Sequence, residues 1–165
     1  MRSPCLPGYP VAILRNGPDC GHLAWVTQDT VVVDALATGL ACNRILFGVG
    51  FLAAPQRAAQ SWIGSSAKTA GGQVMVRAAG ARDLALGVGA LAALRSEADA
   101  RPWFAAHLIS DAADLAATLA ARSELGSKRT AYALSMAGAS TAIAAAYVAK
   151  RSLVGTGEHS GPRAG

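Results

Sequence analysis

Residues 130–149 read TAYALSMAGASTAIAAAYVA and carry no charge between the pairs Lys128-Arg129 and Lys150-Arg151. A helix of this composition is apolar all round, which is typical of a helix that is fully buried or spans a membrane. Its length suits a bilayer, because a helix rises about 1.5 Å per residue and the hydrocarbon core is about 30 Å thick. Cations at both ends are the usual placement around a transmembrane segment. We therefore predict that residues 130–149 cross a membrane.

Three further apolar blocks of similar length precede this segment. Pro55 ends the first block, because a helix interior excludes proline, and Pro102 precedes the third, where proline suits a first helical turn. The blocks are residues 35–54 (ALATGLACNRILFGVGFLAA), 74–94 (VMVRAAGARDLALGVGALAAL) and 103–121 (WFAAHLISDAADLAATLAA). The pattern predicts an all-α fold: a four-helix transmembrane bundle over residues 35–150, with flexible N- and C-terminal tails.

The composition agrees with this fold class. Charged residues make up 15% of the chain, against roughly 25% in soluble domains. Aromatic residues make up only 5%, and the alanines and glycines that dominate let helices approach closely in lipid. The alternative is a soluble alanine-rich bundle, because the first three blocks contain charges, which are rare within a span. A chain of 165 residues, however, cannot easily bury four such helices in water.

The two tails show no sustained pattern. Residues 1–34 contain four prolines and no long apolar run, so we predict a loop-rich or disordered segment, and we predict disorder for residues 151–165 as well. No secretory signal is expected at Met1, because the apolar stretch at 11–14 is too short. A further hypothesis is that translation begins near residues 31–33, since the preceding residues fit the rest of the chain poorly.

The distribution of charge bears on partners and orientation. The net charge is +5, but the cations flank the apolar blocks instead of forming one basic face. This placement argues against nucleic acid and for the lipid bilayer as partner, with a membrane protein or a homo-oligomer as further candidates. With four spans both tails share one side, where seven cations stand against six on the other. The positive-inside rule therefore predicts a multi-pass protein of the cell membrane with cytoplasmic tails.

Ionisable residues lie near the middle of the first three blocks. Each central charge costs about 2.5–3.5 kcal/mol, and pairing inside the bundle lowers that cost. His107, Asp111 and Asp114 share one helical face, at spacings i, i+4 and i+7. We predict that the first three helices meet at a polar intramembrane cluster, and that the fourth packs outside them through the small residues 138–140. The cluster comprises Arg44, Arg82, Asp83, His107, Asp111 and Asp114.

Other chemistry has little support. Cys20-Gly-His22 is too sparse for a zinc site, and Cys42, inside the first block, is interpreted as a small packing residue. A metal site on the helical face of His107 fits by spacing, but it lacks further ligands and the nearby arginines would repel the ion. No nucleophile–base pair, phosphate loop or cofactor motif is present, so a membrane enzyme is the least favoured class and no cofactor is expected.

The first two blocks share a short motif. Residues 48–54 (GVGFLAA) correspond to residues 87–93 (GVGALAA), and aligning them places Arg44 opposite Asp83. In neighbouring antiparallel spans this would be an inverted pair of elements. Coincidence is the favoured explanation, because short glycine motifs recur readily in such a chain. Glycines on a shared face nevertheless predict close contact between the two helices.

Parts of the first three blocks resemble a known family. Residues 44–48 (RILFG), 77–87 (RAAGARDLALG) and 111–115 (DAADL) are similar to a family of small uncharacterised bacterial membrane proteins with four predicted helices, a domain of unknown function. The resemblance covers residues 38–150 and implies a fold and a location, with no catalytic role. The first span also resembles the redox-associated four-helix DoxX type.

The cluster suggests two functions from different classes. In the leading interpretation the protein is a membrane scaffold or accessory subunit, and the cluster is an ion-pair clamp that fixes helix register. The alternative is a small transporter or proton-coupled carrier that uses Arg44, Arg82, Asp83, Asp111 and Asp114. The histidine of the cluster would then add a group that titrates near neutral pH.

Overall fold

The structure, a computed structural model, describes residues 28–96 and 98–157. Predictions for the rest of the tails, and for Cys20-Gly-His22, lie outside these residues. The elements run in the order α1 (Gln28–Ala53), α2 (Pro55–Ala58), α3 (Gln60–Ile63), a 3-10 helix (Gly64–Lys68), α4 (Ala70–Arg95), α5 (Arg101–Ala120), α6 (Arg122–Leu125) and α7 (Ser127–Gly157). No strand occurs in this part of the chain, and α1, α4, α5 and α7 pack as a bundle. The predicted all-α, four-helix architecture is therefore confirmed.

Two predicted boundaries are corrected. α1 begins at Gln28 and not near residue 35, because the apolar run already starts at residues 31–33. α7 continues to Gly157, beyond the predicted end at residue 150. The residues on either side of the predicted core, 28–34 and 151–157, are therefore helical and belong to the bundle helices.

An exposed ion pair joins the start of α1 to the end of α7. Nη2 of Arg151 donates to both carboxylate oxygens of Asp34, at 2.9 and 3.0 Å. The start of α1 and the end of α7 therefore lie together at one end of the bundle, which we name the tail end. The opposite end, formed by residues 54–69 and 121–126, we name the connector end.

Glycines bring α1 and α4 into backbone contact. A Cβ atom on Gly48 would lie 2.6 Å from the backbone nitrogen of Leu84, and one on Gly80 would lie 3.0 Å from the carbonyl oxygen of Gly48. A Cβ atom on Gly87 would lie 2.7 Å from the carbonyl oxygen of Ala41. Only residues without a side chain permit this approach. The predicted close contact between the first two long helices is confirmed.

α5 and α7 form the second close pair, through larger side chains. Phe104 of α5 packs on Tyr147 of α7 with ring centroids 4.3 Å apart, and both residues are buried. Ala144, one turn earlier on α7, is fully buried in the same cluster. The bundle therefore consists of two tightly packed pairs, α1 with α4 and α5 with α7, and α1 also contacts α7.

A second apolar cluster closes the connector end. Phe51 and Val76 are buried there together with two alanines of the connector. Trp62 of α3 stacks on Phe51 with ring centroids 6.2 Å apart, and its Nε1 donates to Oγ1 of Thr118 on α5 at 3.3 Å. The connector is thus anchored to both helix pairs.

In the described part of the chain, two helices are long and apolar enough to cross a membrane. They are Val31–Ala53, with mean hydropathy 1.5, and Ser127–Leu153, with mean hydropathy 1.3. α4 and α5 do not meet the same criterion, because charges lie in their middles. By length and hydropathy, two of the four expected spans are therefore supported in the described residues.

The outward face of the bundle is apolar on three of its long helices. Leu46 on α1, Met75 on α4 and Ile109 on α5 are 71%, 69% and 73% exposed. Cys42, predicted to be a packing residue, is exposed on α1 as well, so that interpretation is wrong. Large apolar side chains therefore lie outside while several polar ones lie inside.

The glycine contacts give a first testable prediction. We expect Gly48→Ala to destabilise the protein by about 1–3 kcal/mol, the usual cost of overpacking a core. The added methyl group would meet backbone atoms of α4, which cannot turn aside as a side chain can. Gly39→Ala is the matched control, because a Cβ atom on Gly39 of the same helix has nothing within 4 Å. It should leave stability unchanged or slightly higher. Equal thermal midpoints for the two variants in detergent would contradict the backbone contact.

Candidate functional site

The guanidinium of Arg44, on α1, occupies the centre of the bundle and is buried. Its Nη1 donates to Oδ1 of Asp83 on α4 at 2.7 Å. Its Nη2 donates to Oδ1 of Asp111 on α5 and, at 3.0 Å, to Oγ of Ser140 on α7. Hydrogen bonds between a guanidinium and carboxylates are among the stronger ones in proteins. One side chain therefore holds contacts to all three other long helices.

A second arginine forms a two-point pair beside the first. Nη1 and Nη2 of Arg82, on α4, donate to the two carboxylate oxygens of Asp114 on α5, at 3.0 and 2.6 Å. Nη2 of Arg82 also lies 3.6 Å from Oδ1 of Asp83, so the two pairs form one network. The side chains of Arg82 and Asp114 are 35% and 30% exposed, so this pair is less desolvated than the pairs of Arg44. The structure thus brings together all five charges predicted for the cluster.

The register of α1 against α4 explains why Arg44 meets Asp83. Arg44 lies between Ala41 and Gly48 on α1, and Asp83 lies between Gly80 and Gly87 on α4. The two helices run antiparallel, so that Gly48 contacts α4 at Gly80 while Gly87 contacts α1 at Ala41. The charged residues at the midpoints must then face each other. The sequence alignment of residues 48–54 with residues 87–93 also makes Arg44 and Asp83 equivalent positions.

His107 lies one turn from Asp111 on α5 but makes no bond to the ion pairs. Its side chain is fully buried, and its ring packs edge-on against Phe104 with centroids 5.2 Å apart, beside the backbone of Leu86. Neither ring nitrogen makes a hydrogen bond of normal geometry with the described residues. His107 shares the buried face predicted from its spacing, while the network itself is formed by the arginines and aspartates.

The sequence predicted that α7 packs outside the cluster through residues 138–140, and the structure contradicts this prediction. Ser140 takes part in the cluster, whereas Gly138 and Ala139 are exposed, and a Cβ atom on Gly138 would meet nothing within 4 Å. The buried positions after Ser140 are Ala144 and Tyr147, at the helical spacing of four and three residues. The contact face of α7 is therefore the face that carries Ser140, rotated away from the glycine.

A cavity of about 130 Å³ lies beside the cluster, on the side of the connector end. Asp83, Asp111 and Asp114 line it together with Arg44. Four aromatic side chains from α1, α3 and α7 complete much of its wall: Phe47, Phe51, Trp62 and Tyr132. Neither the cavity nor its aromatic wall was predicted, because Trp62 lies in a connector whose sequence carries no sustained helical period.

The chemistry of the carboxylates leaves little room for a metal. Within the part of the chain that the structure describes, no three His, Cys, Asp or Glu side chains are grouped to hold one. Oxygens of Asp83, Asp111 and Asp114 accept hydrogen bonds from arginines instead. A metal ion would have to displace these guanidiniums to reach the bonded oxygens.

Comparison of the chain with family models, curated proteins and solved structures found no match. The resemblance to small four-helix bacterial membrane proteins therefore stays a prediction. The function has to be argued from the residues of this chain and their geometry.

Asp111 allows the cluster to be tested. We expect Asp111→Ala to destabilise the folded protein by about 3–5 kcal/mol, the range for removing one partner of a buried ion pair. Asp99→Ala is the control, because Asp99 is exposed and pairs with Arg101 at 2.9 Å. Hydrogen bonds from Arg101 hold the pKa of Asp99 below its usual value, so the control also removes an ionised carboxylate. The control should change the thermal midpoint in detergent far less than Asp111→Ala; equal changes would contradict burial of the cluster.

The pairing itself predicts which arginine couples to Asp111. Combining Asp111→Ala with Arg44→Met should recover part of the lost stability, since no lone guanidinium then remains. Combining Asp111→Ala with Arg82→Met should recover none, because Arg82 bonds to Asp114. A double-mutant cycle on thermal stability measures both couplings. Coupling of Asp111 to Arg82 alone, or to neither arginine, would contradict the observed pairs.

Proposed function

We propose that this chain is a small integral membrane protein with four spans, in which the network around Arg44 is a clamp that fixes the helices. One observation carries the proposal: a single guanidinium bonds to α4, α5 and α7 at once. A bundle whose helices are joined in this way suits a membrane scaffold or an accessory subunit.

The exposure of the two apolar helices supports the membrane location. In the most apolar 18-residue stretch of Val31–Ala53, only 33% of the residues are buried inside the bundle, and in that of Ser127–Leu153 only 11% are. The core helix of a soluble protein would be mostly buried. Apolar side chains exposed along two such helices are unfavourable in water and mark a surface that meets lipid or a partner.

The orientation of α4 and α5 supports four spans over two. Both helices turn large apolar side chains outward, among them Met75 and Ile109. Of their central charges, Asp83 and Asp111 are buried, and the partly exposed Arg82 and Asp114 pair with each other. Ionisable residues within membranes face the bundle interior and pair there. Charges that lower the mean hydropathy of these helices are thus compatible with a span.

The ion pairs lie where a clamp would act. α4 and α5 approach each other at few points, and the two helix pairs otherwise meet where α1 contacts α7 and in the apolar cluster around Phe104 and Tyr147. The bonds from Arg44 to Asp111 and from Arg82 to Asp114 both cross from one helix pair to the other. In lipid, where apolar side chains gain little by leaving the solvent, such polar contacts contribute to association.

The proposal includes location and partners. The lipid bilayer is the direct partner, and a membrane protein or a second copy of the chain would meet the exposed apolar faces. The slight excess of cations on the side of the tails favours a cell-membrane protein with cytoplasmic tails.

A second candidate function is a small solute carrier, including a proton-coupled one. The cavity favours it, because a ligand-sized space reaches Asp83, Asp111 and Asp114 directly. A purely structural clamp has no need of such a space. The two functions are compatible, since the same ion pairs can hold the helices and line one side of a binding site.

Cysteine labelling tests the four-span proposal. Cys42 is exposed on α1, midway along the helix, so in a bilayer it faces lipid. With Cys5 and Cys20 replaced by serine, we expect Cys42 to react with a polar maleimide only after the membrane is dissolved in denaturing detergent. Ile109→Cys, in a chain with all native cysteines replaced, reports on α5 in the same way, because residue 109 is also exposed.

Ser96→Cys, at the exposed turn after α4, is the matched control and should react in mixed-orientation proteoliposomes. Fast reaction of both Cys42 and residue 109 in the bilayer would overturn the membrane proposal. Protection of Cys42 with fast reaction at residue 109 would reduce the number of spans below four.

A further inference from the structure

We propose that the cavity beside Arg44 binds a small organic cation, a compact primary or quaternary ammonium ion. The proposal rests on the second proposed function, a solute site in this cavity, and is independent of the clamp. Its support comes from three separate features: the charge around the cavity, a buried carboxylate with one unpartnered oxygen, and the aromatic wall of the cavity.

The charge of the network is not balanced. Two guanidiniums, of Arg44 and Arg82, face the three carboxylates of Asp83, Asp111 and Asp114, which leaves one formal negative charge when all are ionised. The three aspartates line the cavity, and Arg44 is the one cation among the described residues that do so. A cation in the cavity would balance the network, whereas an anion would meet carboxylates already in excess.

One buried carboxylate of the cavity wall has an oxygen without a hydrogen-bond partner among the described residues. Asp111 is 5% exposed and lines the cavity. Its Oδ1 accepts from Arg44, while its Oδ2 has no hydrogen-bond partner among the described residues. A buried acceptor left without a donor is costly. A cation in the cavity would stabilise this buried, ionised carboxylate electrostatically, whether or not the cation carries an N–H.

The aromatic wall suits a cation of organic character. The rings of Phe51 and Trp62 stack with 16° between their planes, and Phe47 packs edge-on against Phe51. Tyr132, 39% exposed on α7, lines the cavity as well. Aromatic faces carry partial negative charge and attract ammonium ions, and sets of such rings recognise quaternary ammonium groups. A strongly hydrated inorganic ion would gain little from this wall.

The size of the cavity limits the ligand. Its volume is about 130 Å³, well below the range of about 300–1,000 Å³ typical of sites for drug-sized ligands. The ligand therefore has few non-hydrogen atoms beyond the ammonium group itself. Tetramethylammonium is a suitable probe, and tert-butanol is a neutral molecule of similar shape.

Isothermal titration calorimetry on the full chain in lipid nanodiscs tests the proposal. Tetramethylammonium chloride is titrated at constant ionic strength, with sodium chloride making up the balance, and tert-butanol is titrated separately. We expect saturable binding of tetramethylammonium and none of tert-butanol. Two variants then locate the site.

Tyr132→Ala removes one ring of the wall and leaves every ion pair intact, and we expect it to weaken binding about fivefold. Leu134→Ala is the matched control, because Leu134 lies on the same helix, is similarly exposed at 37% and does not line the cavity. It should leave the affinity unchanged. Asp111→Asn should abolish binding, with its thermal midpoint recorded to show that the variant is folded.

Three results would overturn the proposal: no saturable binding of tetramethylammonium by the folded protein, equal binding of tert-butanol, or an unchanged affinity in Tyr132→Ala. The clamp is judged separately by the coupling of Asp111 to Arg44. Loss of the cation site with that coupling intact would leave the clamp standing, and loss of the coupling with cation binding intact would remove the clamp alone.

Discussion

The guanidinium of Arg44 bonds to every other long helix of the bundle, and we propose that the arrangement of the four helices depends on it. A lone charge at the middle of a span costs about 2.5–3.5 kcal/mol or more, so it must find partners. The partners of Arg44 are Asp83, Asp111 and Ser140, one on each of the other long helices. The donor groups of this side chain are therefore satisfied together only when all four helices are in place. Under the proposed membrane location, this requirement adds to the close packing of the helices in favouring one arrangement.

The meeting of Arg44 with its partners has its own requirement, a close approach of α1 and α4. Gly48 and Gly80 provide that approach, because any larger residue at either position would force the backbones apart. The glycines thus act on the site without touching it. Their position sets the register that places Arg44 opposite Asp83, and the ion pair in turn holds that register.

The sequence predicted the helices and the convergence of the charges, because each follows from one free-energy cost. Apolar surface is costly in water, and an unpaired charge is costly in an apolar environment. Apolar blocks of span length predict long helices, and lone central charges predict pairing. The individual pairs were not predictable, because the choice of Asp111 between Arg82 and Arg44 depends on how α5 packs against α1 and α4, which sequence spacing does not give. Ser140 was predicted to pack outside the cluster and not to bond within it, because the orientation of α7 depends on Tyr147 and its contact with Phe104. The cavity was missed because its wall includes Trp62, which a short connector positions through contacts distant in sequence.

Solid-state NMR on the full chain in lipid bilayers, with labelled arginine and aspartate side chains, reports most directly on the network of Arg44. Dipolar couplings between guanidinium nitrogens and carboxyl carbons arise only at the short distances of direct ion pairs. We expect strong couplings from Arg44 to the carboxyl carbons of both Asp83 and Asp111, and their loss in Arg44→Lys. Couplings to neither aspartate in the folded wild-type protein would show that Arg44 does not join the helices.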